Sequence, residues 1–286
     1  MTHSPNKTAL KANTPADAAT ANVRAAVERY VVLNDKGGIG KSFVVQGLSL
    51  EMAAAGKEHA VVEAETSPRL QRVLGADRVK YHELSEDSLS AIRKNPDLLG
   101  EYWDEVVEDF MGGTAVMDLS ANATKLLWQW CDGGVGKMIF GDGEGIGALV
   151  VVTADPEALR LAAEAMTRAA TEWPASRLFL VVNPHHGDLP PNSPALDLIC
   201  SKAGERASEV VRVFLPRNVA KAWPVMVASG KALHELALLK PHALTAHGYK
   251  LGEAARSVAD VIEWLGVWRP QVRRILEAGG TITPEA

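Results

Sequence analysis

Six short apolar runs recur along the chain, and each is flanked by polar or glycine-rich residues. Continuous apolar runs of this length are typical of strands that are buried on both faces of a parallel sheet. Stretches with helical periodicity separate most of them, which favours strand–helix alternation. We therefore predict an α/β fold, with a predominantly parallel sheet and helices on both faces. The predicted strands are residues 29–34, 59–65, 114–120, 147–155, 177–183 and 210–216.

The segments between these runs predict the helices. Residues 41–56 and 156–173 each have the pattern of one helix that packs against the sheet. Residues 80–110 are strongly acidic, and we predict an enlarged helical crossover there. Residues 245–276 predict a C-terminal helix with a break at Pro270, since proline removes a helix hydrogen bond.

The domain organisation follows from the distribution of apolar residues. Residues 1–22 are rich in Ala, Thr, Asn and Pro and offer little to bury, so we expect a mobile N-terminal tail. We expect residues 23–286 to form a single domain that carries the helical insertion at about 80–110. No apolar run reaches the roughly 18–20 residues that a membrane span needs, and so a membrane partner is not expected.

Composition narrows the class of protein further. Over 286 residues, a hydrophobic fraction of 47% and a charged fraction of 23% are those of a globular protein. The net charge of -5 argues against a general polyanion binder, although a local basic patch remains compatible with it. Cys131 and Cys200 lie far apart and form no metal or redox motif, which favours a cytoplasmic protein.

The most informative segment is NDKGGIGKS at residues 34–42, between the first predicted strand and the first predicted helix. An ordinary phosphate-binding loop reads G-x-x-x-x-G-K-[ST]. Gly40, Lys41 and Ser42 match the end of that pattern, whereas an aspartate stands where the first glycine belongs. The glycines allow positive φ angles, and the amides of such a loop can surround a phosphate. Lys41 would bind the terminal phosphates and Ser42 would ligate Mg²⁺.

The spacing K-G-G-x-G-K-[ST], at residues 36–42, resembles the deviant Walker A loop of the ParA/MinD family of P-loop ATPases. In that family the first lysine reaches across a face-to-face dimer to the nucleotide of the other subunit. The resemblance implies that Lys36 acts in trans on the transferred phosphoryl group, beside Lys41 in cis. It also implies the P-loop NTPase fold, the ligands ATP and Mg²⁺, and a homodimer that forms on ATP binding.

The resemblance extends to acidic residues after the second and third predicted strands. The family has a D-x-D-P pattern after its second strand, and Glu63 and Glu65 stand at the positions of the two aspartates. Glu65 would take the catalytic role of positioning the attacking water. Because its side chain is one methylene longer, hydrolysis is expected to be slow. Asp118 matches the family residue that lies near Mg²⁺, so Ser42 and Asp118 are the expected metal-site residues.

Later residues match the part of the family site that binds the base. Asn183 ends the fifth predicted strand, and the segment PRNV at residues 216–219 follows the sixth. A side-chain amide can match the hydrogen-bonding pattern of adenine. The likeness covers about residues 29–265. The expected nucleotide-binding residues are Lys36, Gly37, Gly38, Ile39, Gly40, Lys41, Ser42, Phe43, Asn183, Pro216 and Arg217.

The resemblance implies a function in plasmid or chromosome partition, or in the maintenance and transfer of a mobile element. Relatives bind DNA nonspecifically as ATP dimers and respond to a ParB-like activating partner. In this chain the C-terminal apolar face is short and is interrupted by Gly279 and Gly280, which disfavours a membrane anchor. Candidate DNA contacts are Arg217, Lys221, Lys231, Lys240, Lys250, Arg256, Arg269, Arg273 and Arg274.

Three alternatives stay open from the residues alone. The chain could be an ATP-binding scaffold with little hydrolysis, since glutamates replace the aspartates. It could instead be an ATP-dependent metabolic synthase on the same fold, although no second substrate motif is visible. The adjacent His185 and His186 could bind a metal, but a solvated pair in a polar loop is the simpler interpretation.

Overall fold

The computed structural model describes residues 25–284, so the tail predicted at residues 1–22 lies outside the described residues. The described residues form a seven-stranded sheet in the order β3-β2-β4-β1-β5-β6-β7, and every neighbouring pair is parallel. The predicted α/β fold with a parallel sheet is therefore confirmed. The strands are β1 Arg29–Leu33, β2 Ala60–Glu65, β3 Val79–Glu83, β4 Ala115–Leu119, β5 Ile146–Val152, β6 Arg177–Val182 and β7 Val211–Phe214.

Helices cover both faces of the sheet, and short 3-10 turns follow β6 and α8. A long C-terminal helix packs beside the first helix on one face, where the second helix also lies. The helices are α1 Lys41–Ala54, α2 Arg69–Leu74, α3 Glu86–Lys94, α4 Asp97–Met111, α5 Ala121–Asp132, α6 Val135–Phe140, α7 Pro156–Glu172, α8 Pro194–Ser201, α9 Trp223–Ala228, α10 Leu233–Leu236, α11 Pro241–Thr245 and α12 Leu251–Gly279.

The central strand shows why apolar runs form this sheet. Successive side chains of a strand point to opposite faces. In β1, Tyr30 and Val32 are buried against the α1 and α12 face, while Val31 and Leu33 are buried against the α4 and α5 face. A strand that is covered on both sides needs apolar residues at every position, and this requirement produced the signal in the sequence.

One strand was not predicted. Val79–Glu83 forms β3, at the start of the segment predicted to be wholly helical, and α3 and α4 follow it. This strand is at the edge of the sheet and pairs only with β2. Only Val79 is fully buried, and the sequence VKYHE therefore lacks a continuous apolar run. The prediction of helix from residue 80 was wrong for this strand.

The predicted helix break at Pro270 was also wrong, because α12 continues from Leu251 to Gly279. Proline in a helix removes one hydrogen bond and crowds the carbonyl four residues earlier. That carbonyl belongs to Gly266, which is solvent-exposed. Water can therefore satisfy the released carbonyl without ending the helix.

The first and last helices are packed closely together. A Cβ atom on Gly47 would lie 2.3 Å from the ring of Trp268, so only glycine fits at this contact between α1 and α12. The buried Glu51 of α1 accepts a hydrogen bond from Arg269 and also lies 3.9 Å from Arg273. These contacts fix α1, whose first turn forms part of the site described next.

Candidate functional site

A cleft of about 1030 Å³ opens at the carboxyl edge of the sheet. It is lined by residues that follow β1, β2, β4, β6 and β7. The central strand β1 lies between β4 and β5, and the chain crosses it to start the second half of the sheet. Ligands of open α/β sheets bind at such a topological switch point, beyond the carboxyl ends of the strands. The glycine-rich segment lies at this position.

The loop has the backbone geometry that its glycines predict. Gly38 has φ 75° and Gly40 has φ 94°, in the left-handed region that side chains rarely adopt. A Cβ atom on Gly40 would lie 2.4 Å from the side-chain nitrogen of Asn183. That nitrogen donates a hydrogen bond of 2.8 Å to the carbonyl oxygen of Ile39. Asn183 thus supports the loop directly, a role that the sequence did not predict.

Asn34 anchors the other end of the loop and is completely buried. Its side-chain nitrogen donates to the carbonyl oxygens of Val151, at 2.8 Å, and Ala158, at 3.1 Å. Its side-chain oxygen accepts from the amide of Lys36 at 2.9 Å. One amide side chain therefore connects the loop to β5 and α7 and holds its first turn.

Lys41 is buried at the centre of the loop. Its ammonium group donates to the carbonyl oxygens of Asn34, at 2.8 Å, and Lys36, at 2.9 Å. Burial lowers the pKa of Lys41, and the nearby carboxylates of Asp118, Glu65 and Asp35 act against this shift. A buried cation that is held by neutral carbonyl groups retains capacity to bind an anion.

Ser42 and Asp118, the two residues expected at a metal site, are neighbours in the structure. The side chain of Ser42 lies beside the carboxylate of Asp118, near the end of β4. Burial raises the pKa of Asp118 to about 6, against the effects of Ser42 and Lys41. A hydroxyl and a carboxylate are the hard oxygen donors that Mg²⁺ prefers, so the residues present fit this ion, directly or through water.

The two glutamates of β2 have different environments. Glu63 is fully buried, and its carboxylate accepts the amides of Leu70, at 2.7 Å, and Gln71, at 3.0 Å. Burial raises its pKa, and these hydrogen bonds from the first turn of α2 act against the shift. Glu65 lines the cleft and accepts the amide of Thr66 at 3.0 Å. Only Glu65 is placed to act on a ligand in the cleft.

Lys36 does not line the cleft, although residues 37–43 do. Its ammonium group forms an ion pair with Glu157, in the first turn of α7. The hydrogen bond that Lys36 donates to the carboxylate of Glu157 raises the pKa of Lys36. The side chain is therefore directed away from the cleft.

The base-binding candidates Asn183, Pro216 and Arg217 all line the cleft, as does Phe43. An aromatic cluster that the sequence did not assign to the site extends this wall. Phe43 lies 5.5 Å from Trp223, Trp223 lies 5.1 Å from Trp264, and Trp264 lies 5.2 Å from Trp268, between ring centroids.

Asn218 also lines this wall and was not predicted. Its side-chain nitrogen is buried and has no hydrogen-bond partner among residues 25–284. It directly follows Pro216 and Arg217, which the resemblance had identified. Its place in PRNV was the signal that could have found it; no comparable motif marks Trp223.

The charge of the cleft differs from that of the whole chain. Lys and Arg number 30 against 35 Asp and Glu overall, whereas Glu65 is the sole carboxylate along the described cleft wall. Such a wall favours an anionic ligand. Its cations are Lys41, Arg69, Arg72, Arg217, Lys221 and Lys231.

Several other candidate residues have structural partners. Among the proposed DNA contacts, Lys221 pairs with Glu253, while Arg269 pairs with Glu51 and Arg273 with Glu277. Among residues 25–284, no group of three or more His, Cys, Asp or Glu side chains is arranged to hold a metal ion. His185 and His186 instead contact each other, with ring centroids 4.5 Å apart.

The C-terminal segment packs against the body of the protein. The apolar side chains Val272, Ile275 and Leu276 of α12 are fully buried in the core. Across the described part of the chain, no helix combines the length and the apolar character that a membrane crossing requires.

Comparison with protein-family models gives no match for this chain, and comparison with curated proteins gives none either. The likeness to the ParA/MinD family therefore rests on the loop at residues 34–42 and on the residues that surround it.

Proposed function

We propose that the protein is an ATP-binding and ATP-hydrolysing switch of the ParA type, with a P-loop NTPase fold, that forms a homodimer when ATP and Mg²⁺ bind. The observation that carries this proposal is the loop between β1 and α1. Two glycines with positive φ angles and the buried ammonium group of Lys41 lie together at the first turn of a helix. This combination binds phosphate groups.

Each residue has a chemical role in this proposal. The amides of residues 37–42 and the ammonium group of Lys41 would hold the β- and γ-phosphates. Bound Mg²⁺, held by Ser42 and by Asp118 through water, would neutralise part of the phosphate charge. Glu65 would orient the attacking water from the opposite wall of the cleft. Asn183, Pro216 and Arg217 would contact the base.

The dimer would give Lys36 its role. In the free chain Lys36 pairs with Glu157, so it can reach a phosphate only after this ion pair opens. In a face-to-face dimer the opened side chain would act on the nucleotide of the other subunit. ATP would thereby stabilise one assembly state, and hydrolysis would release it.

The test is calorimetric titration of ATP with Mg²⁺ into the wild-type protein and the Lys41→Ala variant. Loss of a charge-assisted contact to phosphate is expected to weaken ATP binding by about 100-fold. The control is Lys57→Ala, an exposed lysine just beyond α1, which should bind ATP as the wild type does. Absence of wild-type binding at millimolar ATP would refute the proposal.

A scaffold that binds ATP with little hydrolysis is the second candidate. It is favoured by the glutamate at position 65, whose side chain is one methylene longer than the family's aspartate and therefore positions a water less accurately. Tight ATP binding without turnover would select the scaffold. Turnover that rises with a small metabolite would select a metabolic synthase instead.

We further propose a cytoplasmic function in plasmid or chromosome partition, or in a mobile element. DNA contacts would come from basic residues without an ion-pair partner among residues 25–284: Arg217, Lys231, Lys240, Lys250, Arg256 and Arg274. ATP turnover that rises when nonspecific DNA and a ParB-like partner are both present would support this function. Unchanged turnover would count against it.

A further inference from the structure

The outer face of α12 differs from that of an ordinary surface helix. Such a helix buries one face and presents charged or polar side chains on the other. The helix α7 follows this rule, since its exposed residues include Glu157, Arg160 and Glu164. On α12, the exposed residues between 251 and 270 are apolar or glycine, with Arg256 and Glu263 as the two charged exceptions.

A subset of these exposed residues forms a regular seam along α12. The members recur at alternating intervals of three and four residues, and the largest of them, Ile262, is 52% exposed. This spacing has a mean period of 3.5 residues and is typical of helices that pack lengthwise against another helix. We name it the α12 seam, and its residues are Gly252, Ala255, Ala259, Ile262 and Gly266.

The composition of the α12 seam suits close packing of a second helix. Packed helices lie about 8–10 Å apart, and the distance depends on the side chains between them. Glycine or alanine at every seam position except Ile262 allows a partner helix to approach closely. All the seam residues are exposed, so no other element within residues 25–284 occupies this place.

Two charges beside the α12 seam indicate which helix would pack there. Arg256 and Glu263 lie seven residues apart, on the same side of the seam, and neither forms an ion pair within residues 25–284. If a second copy of α12 packed antiparallel, with Ala259 opposite Ile262, each Arg256 would face the partner's Glu263. A parallel copy would not bring these opposite charges together.

The same features disfavour other occupants. A helix that binds a lipid surface is rich in Lys and Arg on its polar face, whereas the charges beside the α12 seam are of opposite sign. Glu263 would repel the phosphates of a DNA duplex. A twofold pair of identical helices satisfies both charges with one surface, because residue i then contacts residue j and j contacts i.

We propose that the α12 seam binds the same seam of a second copy of the chain, antiparallel about a twofold axis. Arg256 of each copy pairs with the partner's Glu263, and Ile262 packs against the partner's Ala259. This contact goes beyond the proposed function, because it does not involve the nucleotide or the carboxyl edge of the sheet. A single pair of helices buries less than roughly 1,200 Å², and the dimer is therefore weak and concentration-dependent.

Sedimentation velocity over a concentration series, without nucleotide, tests the proposal. The wild type should show a monomer–dimer equilibrium, and Ile262→Glu should weaken it by at least about tenfold, since it buries an unpaired charge. The matched control is Val267→Glu, because Val267 is also 52% exposed on α12 but lies outside the seam. This control should dimerise as the wild type does. Both substitutions are at exposed positions, and circular dichroism should show that both variants fold.

Exchange of the two charges tests the antiparallel register. Arg256→Glu and Glu263→Arg each place like charges opposite one another, so each should weaken dimerisation by about threefold or more. The double variant Arg256→Glu/Glu263→Arg has the net charge of the wild type and should restore dimerisation. A double variant as weak as the single variants would refute the pairing of these residues.

Three results would overturn the interface itself. The first is a wild type that stays monomeric without nucleotide up to about millimolar concentration. The second is an equal loss of dimerisation in Ile262→Glu and Val267→Glu. The third is that Arg256→Glu weakens DNA binding but not dimerisation, which would assign Arg256 to a DNA surface.

The experiment also separates this interface from the dimer that ATP is proposed to form. A wild type that dimerises only with ATP and Mg²⁺ would support the proposed function and refute the α12 contact. A wild type that dimerises through α12 but does not respond to ATP would support the α12 contact and refute the nucleotide-driven dimer.

Discussion

The glycine-rich loop at residues 34–42 and the acidic ends of β2 and β4 are neighbours at the carboxyl edge of the sheet, and they are held in place differently. At the loop, main-chain carbonyls and two buried amide side chains, Asn34 and Asn183, fix the geometry. At the ends of β2 and β4, burial raises the pKa values of Glu63 and Asp118, and the neighbouring carboxylate of Glu65 raises both further. The hydrogen bonds that hold the loop are made with neutral amide and carbonyl groups, whereas the acidic side gathers negative charge.

This difference indicates which side of the site lowers the free energy of unfolding. A loop supported by hydrogen bonds is stable without its ligand. Burying a carboxylate close to another one costs free energy of folding, and the raised pKa values of Glu63 and Asp118 reflect that cost. The acidic side should therefore gain stability when its charge is removed, and the loop should lose stability when its backbone is changed.

The largest expected effect is that of Asp118→Asn. Because the folded-state pKa of about 6 exceeds the ordinary 3.8, the carboxyl contributes stability below about pH 4 that is lost as pH rises through 6. The variant should be more stable than the wild type by on the order of 3 kcal/mol at pH 8, and by about half of that at pH 5. Urea unfolding at both pH values measures this.

The same variant should bind ATP without responding to Mg²⁺, since it lacks the carboxylate of the proposed metal site. Equal stability of the variant and the wild type at pH 8 would show that other groups in the folded protein offset the cost of burying the charge of Asp118.

A substitution in the loop should lower the stability of the protein, whereas Asp118→Asn should raise it. Gly40→Ala forces a side chain into φ 94° and brings Cβ to 2.4 Å from Asn183, so it should lower the free energy of unfolding by about 2–3 kcal/mol. Gly37→Ala is the matched control, because nothing lies within 4 Å of its Cβ. It should change stability by less than about 0.5 kcal/mol. If both variants lost a similar amount of stability, the loop would not depend on the backbone conformation of Gly40.

Glu65→Gln separates catalysis from stability on the acidic side. We expect ATP turnover to fall by about tenfold or more, with ATP affinity within about twofold of the wild type. Steady-state turnover and calorimetry measure the two quantities. Glu83→Gln is the control, because Glu83 is the register partner of Glu65 on β3 but does not line the cleft. A turnover loss shared by both variants would point to a general charge effect.

The smallest effect is expected where the loop contacts α7. Glu157→Gln removes the ion pair of Lys36, and exposed ion pairs are weak. The ATP concentration that gives half-maximal dimerisation should fall by about two- to fivefold, as measured by light scattering. Glu164→Gln, which breaks the ion pair with Arg160 farther along the same helix, should leave it unchanged. A higher ATP requirement in Glu157→Gln would show that this contact favours the dimer.

The sequence predicted the buried strands and the loop because each leaves a local signal. Continuous apolar runs identified six strands, and the spacing of glycines and lysines identified the loop. β3 was missed because a half-exposed edge strand such as VKYHE needs no apolar run. The helix through Pro270 was missed because its continuation depends on the exposure of Gly266, which only the folded chain reveals.

The site was predicted unevenly for the same reason. Ser42 and Asp118 lie close together, since the carboxyl ends of parallel strands meet at one edge, and their role at a metal site stays a prediction. The ion pair of Lys36 with Glu157 joins residues that are 121 positions apart, and no local sequence pattern predicts it. The division of roles between Glu63 and Glu65 depends on the position of α2, which lies after them in the chain.

The aromatic wall of the cleft offers a way to observe the protein without a label. Trp223, Trp264 and Trp268 line the cleft, while the other buried indoles of the described chain, among them Trp103 and Trp173, lie in the core on the opposite face of the sheet. Indole emission depends on the water and the charges nearby. A triphosphate that enters should therefore alter the fluorescence of the first group over a constant background from the second.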